Sequence, residues 1–265
     1  MKTKKKIKVF VDGDILVYKI ASATERSIDW GEDWWGLYAD LKEARQLLDE
    51  SYKTLLLDII ESYKYSYRSL EDPILDTKVV LSDPSNNWRT DILPSYKNNR
   101  AGKRKPVLWS ELRHYLIDKY KAIIWPRLEA DDVIGILATR HSIIASEDKD
   151  FQTIPCLLYQ PSTSVFRKIT KREADRSHLI QTLMGDSADG YKGCPGIGIV
   201  GAQRILQKGT WEEVVDAYTK AGLDEGDALT QARVAHILRS EKEYKKIERR
   251  VRLWGPSYIS IATYI

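Results

Sequence analysis

Hydrophobic positions in this chain fall into short continuous runs and longer stretches with helical spacing. The short runs predict strands at residues 7–11, 77–81, 122–125 and 142–146, then a hairpin at 156–159 and 165–169. Helical spacing predicts intervening helices at residues 41–67, 109–120 and 129–139. Strands that alternate with helices indicate an α/β fold whose mainly parallel central sheet is flanked by helices.

The last third of the chain has helical spacing only. It predicts helices at residues 178–184, 200–207, 211–221, 228–238 and 241–250. We therefore expect an α/β core at residues 1–176 and a helical subdomain at residues 177–265, packed on the core. Residues 84–106 are polar and aperiodic, and they are too long for an ordinary connection, so we expect this segment to be either functional or disordered.

Composition narrows the class of protein. The chain has 265 residues, 43% of them hydrophobic and 30% charged, as in globular proteins. No apolar run approaches the roughly 20 residues that span a bilayer, and Lys2 to Lys6, interpreted as a loose tail, precede a strand rather than a signal-peptide core. Cys156 and Cys194 lack zinc-site spacing and fit a reducing compartment. We expect a cytoplasmic protein without a membrane partner.

The net charge of +4 is small, but it is unevenly distributed. Basic side chains crowd one short segment: Lys97, Arg100, Lys103, Arg104 and Lys105. Such a cluster indicates an anionic partner such as nucleic acid. The alternative is a solvated loop, which is the commoner meaning of a charge run.

Acidic residues follow the predicted strands. They are Asp12, Asp83, Asp148 and Asp150 directly after strands, and Glu129, Asp131 and Asp132 at the start of the helix after the third strand. A single aspartate after a strand is usually a turn or cap residue. Because parallel strands present their carboxyl ends at one edge, however, these acids, with Asp186 and Asp189, are expected to converge.

Crowded carboxylates require cations. Hard oxygen ligands in this number suit Mg²⁺ or Mn²⁺, and two such ions about 4 Å apart stabilise the attacking and leaving oxygens of a phosphodiester. The four histidines are scattered, with no partner by spacing. The acids therefore predict metal-assisted hydrolysis without a Ser or Cys nucleophile.

Two motifs allow other interpretations. Residues 196–201 match the GxGxxG dinucleotide fingerprint but lack the preceding strand, so a hairpin between helices that holds a DNA phosphate fits better. Asp12-Gly13-Asp14 with Asp186 and Asp189 resembles the haloacid-dehalogenase phosphatases. That alternative leaves the other acids without a role. A non-catalytic DNA-binding protein with structural cations is a further alternative.

The order of the motifs resembles the 5′ nuclease superfamily of flap endonucleases and 5′→3′ exonucleases, and most closely its T7-like phage exonucleases. The motifs are Val11-Asp12-Gly13-Asp14, Ser82-Asp83, Trp88-Arg89, Tyr96-Lys97-Asn98-Asn99-Arg100, Glu129-Ala130-Asp131-Asp132, Ser146-Glu147-Asp148-Lys149-Asp150-Phe151, Met184-Gly185-Asp186-Ser187-Ala188-Asp189-Gly190 and the glycine hairpin at 193–201. The resemblance covers residues 7 to about 210, and many ordered motifs make it specific.

The resemblance implies roles for these residues. The metal ligands would be Asp12, Asp83, Glu129, Asp131, Asp132, Asp148, Asp150, Asp186 and Asp189. Residues 84–106 would form a helical arch or gateway, in which Lys97 and Arg100 hold the scissile phosphate. Tyr96 would stack on a terminal base. Arg89 would support the same region and, like Lys103 and Arg104, would contact DNA.

The resemblance also implies an activity. Gly196, Gly198 and Gly201 would belong to a helix-hairpin-helix-type element that grips duplex DNA and in some relatives holds K⁺. The expected enzyme cuts DNA from 5′ ends in phage replication or recombination, with flap cleavage and removal of RNA from RNA–DNA hybrids as related activities. Asp14 departs from many relatives and is left outside the ligand set, and Lys149 receives no catalytic role.

Trp30, Trp34 and Trp35 form a cluster with two interpretations. They are either part of the hydrophobic core or an apolar wedge against DNA ends, and we favour the core.

Overall fold

The structure is a computed structural model that describes residues 6–68, 71–256 and 263–265. Its strands are β1 (Lys6–Asp12), β2 (Arg26–Asp29), β3 (Trp35–Tyr38), β4 (Ile74–Val80), β5 (Ile143–Ala145), β6 (Cys156–Gln160), β7 (Val165–Ile169), β8 (Tyr244–Lys245) and β9 (Arg250–Val251). Its helices are α1 (Gly13–Thr24), α2 (Leu41–Tyr67), α3 (Trp109–Tyr120), α4 (Ala130–Leu137), α5 (Lys171–Met184), α6 (Ile199–Ile205), α7 (Trp211–Lys220) and α8 (Glu225–Ala235). Of the predicted loose tail, residues 2–5 lie outside the described residues.

The central sheet has five strands in the order β4-β1-β5-β6-β7. Strand β1 pairs in parallel with β4 and β5, β5 pairs in parallel with β6, and only β7 is antiparallel. Alternation along β1 points Val9 and Val11 into a core shared with α1, α2 and α3, whereas Phe10 points into a second core shared with α4. The predicted α/β fold with a mainly parallel sheet is confirmed.

Two predicted elements are wrong. Residues 122–125 form a single bridge between Ile123 and Val80 rather than a strand. Residues 241–250 were expected to be helical, but they form a 3-10 turn and the β8–β9 hairpin. Arg249 takes a left-handed conformation at φ 54°, which a helix excludes, and the burial of Tyr244 and Val251 outweighs the helix propensity of this Lys- and Glu-rich segment.

A small two-stranded ribbon lies between α1 and α2. It consists of β2 and β3, which pair antiparallel with each other in a separate sheet. The expectation that Trp30, Trp34 and Trp35 belong to the core is wrong, because these side chains are 73%, 75% and 66% exposed. Helix α1, which follows β1 without a connecting loop, was not predicted from the hydrophobic pattern.

Helix α5 begins earlier than predicted. The hydroxyl of Thr170 accepts from the backbone of Glu173, whose carboxylate accepts from the backbone of Thr170, and this capping box starts the helix. The proposed domain boundary at 176/177 therefore falls inside α5. Ala174 packs in the core beside α4, whereas Leu183 packs in the core of the C-terminal helices. The division into two domains stays a prediction. Among the described residues, no helix combines the length and hydrophobicity needed to cross a bilayer.

Candidate active site at the carboxyl edge of the sheet

Acidic side chains lie at the carboxyl ends of the central strands. Asp12 ends β1 and caps α1, and its carboxylate accepts from the backbone N–H groups of Asp14 at 3.1 Å and Ile15 at 3.3 Å. Asp148 follows β5 and caps a 3-10 turn by accepting from the N–H of Asp150 at 2.9 Å. Because β1 and β5 are parallel neighbours, both caps lie at the same edge of the sheet.

Burial and mutual repulsion act on several of these acids. Burial, with the charges of neighbouring carboxylates, raises the pKa of Asp12 to about 7. Burial and then the charge of Asp148 raise the pKa of Asp150 to about 7. Burial and then the charges of Asp132 and Glu129 raise the pKa of Asp131 well above its usual range. Such shifts indicate carboxylates whose charge lacks a compensating cation.

Basic side chains pair with the other acids. Burial would raise the pKa of Glu129, but the ion pairs with Lys97 and Arg89 outweigh it and lower that pKa. Arg100 donates to Asp189 at 2.5 Å, and Lys97 lies 3.6 Å from the same carboxylate. Within the described ranges, no three His, Cys, Asp or Glu side chains form a group ready to hold a metal.

The donor chemistry nevertheless fits divalent cations. Asp148 is a neighbour of both Asp12 and Asp150, whereas the acidic neighbours of Asp131 are Asp132 and Glu129. Burial and repulsion raise the pKa of Asp12, Asp131, Asp148 and Asp150, and none of the four has an ion pair to a described Lys or Arg. Oxygen ligands of this kind suit Mg²⁺ or Mn²⁺. The paired acids could join them if Lys97 and Arg100 moved to a substrate phosphate.

Two loops dock on each other beside this edge. The N–H of Lys97 donates to the carbonyl of Asp189 at 2.8 Å, and the Asn99 amide donates to the carbonyl of Ser187 at 2.7 Å. Gly190 has φ 77°, and a Cβ there would lie 3.3 Å from the carbonyl oxygen of Ser95. Glycine is thus needed for this close approach. The docking brings Lys97 and Arg100 to the acids, and their predicted contact with the scissile phosphate stays a prediction.

Asp132 does not have the predicted metal-ligand geometry. Its side chain is fully buried, and its oxygens accept from Trp88 Nε1 at 2.9 Å, from both Arg89 terminal nitrogens at 2.7 and 2.9 Å, and from the Leu238 N–H at 3.2 Å. With these partners it is a buried structural carboxylate. The metal-ligand role predicted for Asp132 does not fit this conformation.

Arg89 and Tyr96 are likewise buried rather than presented to DNA. Arg89 is 2% exposed, and besides its carboxylate partners it donates to the carbonyls of Val234 and His236, both at 2.8 Å. Tyr96 is 5% exposed, and its hydroxyl lies 2.8 Å from Glu129 and 3.0 Å from Asp189. The predicted DNA contact by Arg89 and base stacking by Tyr96 do not fit this conformation, because both side chains are enclosed by protein.

Asp83, Asp14 and Lys149 have partners that spacing did not reveal. Asp83 accepts from the Ser85 hydroxyl at 2.6 Å and the Arg127 N–H at 2.7 Å, as a turn residue does. Asp14 accepts from the Ser82 N–H at 2.8 Å and pairs with Arg113. Lys149, which received no catalytic role from the sequence, has its Nζ 2.8 Å from Asp186.

The gateway segment is not a helical arch in this structure. Between residues 84 and 106 the described helical structure is limited to 3-10 turns at Trp88–Asp91 and Asn98–Arg100. Lys103 is exposed, whereas Arg104 makes a bidentate ion pair with Glu25 at 2.6 and 2.7 Å. The segment instead lies against the acids through Arg89, Tyr96 and Lys97.

The glycine hairpin joins α5 to α6. Gly196 and Gly198 are exposed, and a Cβ at either would meet nothing within 4 Å. Packing therefore requires neither glycine. The φ of 74° at Gly196 favours glycine there, whereas close approach of a ligand to the backbone is a reason for glycine at Gly198. The helix-hairpin-helix assignment stays a prediction.

Several site residues escaped sequence reasoning. Gln181 donates to Asp150 at 2.7 Å and links α5 to the acids. Arg113 lies between Leu112 and Leu116 on the buried face of α3, and an arginine on an apolar face is a signal for a buried ion pair. For Gln181 we find no signal in the sequence.

The fold is that of an α/β protein. The carboxylates at one edge of its sheet are suitable ligands for divalent metal ions, and a loop with basic side chains lies against them. No family model matches the chain. The exodeoxyribonuclease of Enterobacteria phage T3 is 32% identical over 290 aligned positions, which cover 93% of this chain and 92% of the relative. The exonuclease of Escherichia phage T7 is 31% identical with the same coverage.

A solved structure agrees with this fold. The 5′-exonuclease of phage T5, described with bound divalent zinc ions, matches with a TM-score of 0.57 at 16% identity over 87% of this chain and 89% of that chain. Because identity is low, this likeness shows the fold alone. Together with the phage relatives, the sequence places the chain in the 5′ nuclease superfamily.

Proposed function

We propose that this chain is a metal-dependent 5′→3′ exonuclease that hydrolyses phosphodiesters of duplex DNA from 5′ ends, with flap cleavage as a related activity. The observation that carries the proposal is the docking of a basic loop onto Glu129 and Asp189, at the edge of the sheet that also carries buried, mutually repelling carboxylates. Nothing in the comparisons favours a dehalogenase-type phosphatase or a non-catalytic DNA-binding protein. The phage relatives are named exonucleases.

The proposed metal site takes two divalent ions, Mg²⁺ or Mn²⁺. Asp12, Asp131, Asp148 and Asp150 would hold them, with Glu129, Asp186 and Asp189 joining once their basic partners are drawn to DNA. Asp83 would be a further metal ligand, with a carboxylate oxygen that also accepts a hydrogen bond within its turn. When bound, such ions lower the pKa of a coordinated water and neutralise charge on a phosphodiester.

The chain's own residues would position the substrate. Lys97 and Arg100 would exchange their carboxylate partners for the scissile phosphate and stabilise the charge that develops on it. Lys103, which is exposed, would contact the DNA backbone further along. Arg104 could do so only after leaving Glu25. The open backbone at Gly196 and Gly198, with Gly201 inside α6, would approach a duplex phosphate, and K⁺ could assist there.

The test uses a 5′-labelled duplex with Mg²⁺ and the full chain. We expect release of mono- or short oligonucleotides, and comparison of blunt, nicked, 5′-flap and RNA–DNA hybrid substrates would rank the activities. Asp148→Asn should lower cleavage at least about 100-fold, because it removes a charged ligand from the site, while DNA binding persists.

The alternatives give different results. A phosphatase would hydrolyse a generic phosphomonoester and leave the duplex intact. A non-catalytic DNA-binding protein would bind the duplex without any metal-dependent product. Cleavage that is unchanged in Asp148→Asn would assign that carboxylate to structure alone.

A further inference from the structure

The tip of the β2–β3 ribbon carries an exposed aromatic surface that the proposed nuclease activity does not use. Trp30, Trp34 and Trp35 are exposed, and Tyr38 beyond them is 49% exposed. Isolated exposed apolar side chains are ordinary, but large aromatic groups gathered on one short hairpin mark interaction surfaces. We call these three tryptophans the tryptophan tip.

The backbone of the tryptophan tip forms a defined, hydrogen-bonded turn. The N–H of Trp30 donates to the carbonyl of Trp34 at 2.8 Å, and the turn between them places Gly31, Glu32 and Asp33 at φ 81°, 51° and 63°. Left-handed conformations at two non-glycine residues cost energy and cluster at functional loops. The turn holds the indole rings out from the protein.

Glycine at position 36 also serves this arrangement. A Cβ there would lie 2.8 Å from Nε1 of Trp30, so the Trp30 ring lies across Gly36 on the face of the ribbon. At the base, Arg26 of β2 makes a bidentate ion pair with Glu43 of α2 at 2.7 and 2.9 Å. The ribbon is thereby anchored to α2 while its tip projects.

Charge selects the kind of partner. Residues 25–40 contain the acids Glu25, Asp29, Glu32, Asp33 and Asp40 and a single basic residue, Arg26. Of these, Asp29, Glu32 and Asp33 are exposed beside the tryptophans. Carboxylates at the tip repel DNA phosphates and anionic lipid, whereas indole faces flanked by carboxylates suit Lys and Arg side chains through cation–π and ionic contacts.

We propose that the tryptophan tip is a docking surface for a protein partner that presents a segment of basic and aliphatic side chains. Its aromatic groups would supply most of the binding energy, as tryptophan does at interfaces. Glu32 and Asp33 would set the orientation and the preference for a basic segment. Among the described residues, no hydrogen bond or ion pair joins the three tryptophans to the acids at the sheet edge, so we expect binding there to leave catalysis in place.

The test measures fluorescence anisotropy of a labelled peptide that alternates Lys or Arg with Leu, and of a matched peptide with Glu at each basic position. We expect the basic peptide to bind at least about tenfold more tightly than the acidic one, and Trp34→Ser/Trp35→Ser to weaken its binding at least about tenfold. Tyr65→Ser is the matched control, because Tyr65 on α2 is 90% exposed and should leave binding unchanged.

A second variant covers the chance that the first misfolds. Glu32→Gln/Asp33→Asn keeps the side-chain shapes and should also weaken binding of the basic peptide, while duplex cleavage stays at the wild-type rate in both variants. Three results would overturn the proposal. The first is equal binding of both peptides, and the second is a loss of duplex DNA binding in the tryptophan variant. The third is that the wild-type chain self-associates in sedimentation experiments and the tryptophan variant does not. The second and third would assign the surface to nucleic acid and to another copy of the chain.

Discussion

Lys97 is the residue at which the acids and the basic loop meet. Its ammonium group pairs with Glu129 and lies 3.6 Å from Asp189, so it can exchange a carboxylate for a phosphate with little movement. We predict that Lys97→Ala lowers the turnover of duplex cleavage at least about 100-fold, because a positioned charge in the transition state is lost.

Binding measurements give the control for Lys97. Duplex affinity should fall much less than turnover in Lys97→Ala, whereas Lys103→Ala, at an exposed position, should weaken binding with little change in turnover. If Lys97→Ala lost only affinity, Lys97 would lie outside the reacting centre.

Arg89 and Asp132 form a buried ion pair with every charged atom partnered. Because removal of one member leaves an uncompensated buried charge, we predict that Arg89→Met lowers the free energy of unfolding by about 3–5 kcal/mol. Urea denaturation measures this change. Arg26→Met breaks an exposed pair in which one guanidinium nitrogen donates to both carboxylate oxygens of Glu43, and it should cost about 1 kcal/mol or less.

A double variant separates charge from packing. Arg89→Met/Asp132→Leu removes both charges and should recover a large part of the stability that Arg89→Met loses. If the double variant were less stable than Arg89→Met, the hydrogen bonds to the Val234 and His236 carbonyls would outweigh the charge pair.

The backbone at the end of α5 lies very close to the loop that follows this helix. Gly193 has φ 66°, and a Cβ there would lie 2.3 Å from the backbone nitrogen of Gly185. We predict that Gly193→Ala lowers the free energy of unfolding by about 3 kcal/mol, because backbone overlap adds to the cost of a left-handed alanine. Thermal or urea unfolding measures the loss.

Gly196 provides the matched comparison. It has φ 74°, but a Cβ there would meet nothing within 4 Å. Gly196→Ala should therefore cost only about 1 kcal/mol, the conformational part alone. Equal losses at the two positions would mean that the chain crossing relaxes without cost.

The elements also show what the sequence could predict. Buried apolar runs predicted β1, β5 and β6, and helical spacing predicted α2 and α3, because each of these elements has side chains in a core. Strand β7 was predicted as the partner of β6, although only Ile169 in it is buried. The ribbon of β2 and β3 was missed because four-residue strands with exposed side chains have no such period. The convergence of acids followed from parallel topology, but Arg89–Asp132 joins positions 43 residues apart, and no local pattern encodes that pairing.

For the whole molecule, two buried histidines link stability to pH. Burial lowers the pKa of His178 and of His236; Glu243 opposes the shift at His236, and Arg239 adds to it at both. Unfolded histidine has a pKa of about 6.5. As the pH falls below that value, these histidines bind protons in the unfolded chain but stay neutral in the folded chain. The free energy of unfolding therefore falls by up to about 1.4 kcal/mol per pH unit for each histidine.

Urea unfolding between pH 7.5 and pH 5.5 tests this linkage. We expect His178→Gln to flatten the decline in stability relative to the wild-type chain. His114→Gln, at an exposed position, should keep the wild-type slope. The same slope in all three proteins would place the acid sensitivity elsewhere, for example among the carboxylates at the sheet edge.

Helix α5 has a consequence for how the protein could be divided or recombined. It contributes Ala174 to one core and Leu183 to the other, and its Gln181 touches the acids. Splitting the chain at residue 176 would cut the helix and expose both cores, so neither fragment would be a self-sufficient module. Exchange of the C-terminal helices between relatives should succeed only when all of α5 is transferred with its Thr170 cap, and calorimetry of the intact chain should record one cooperative transition.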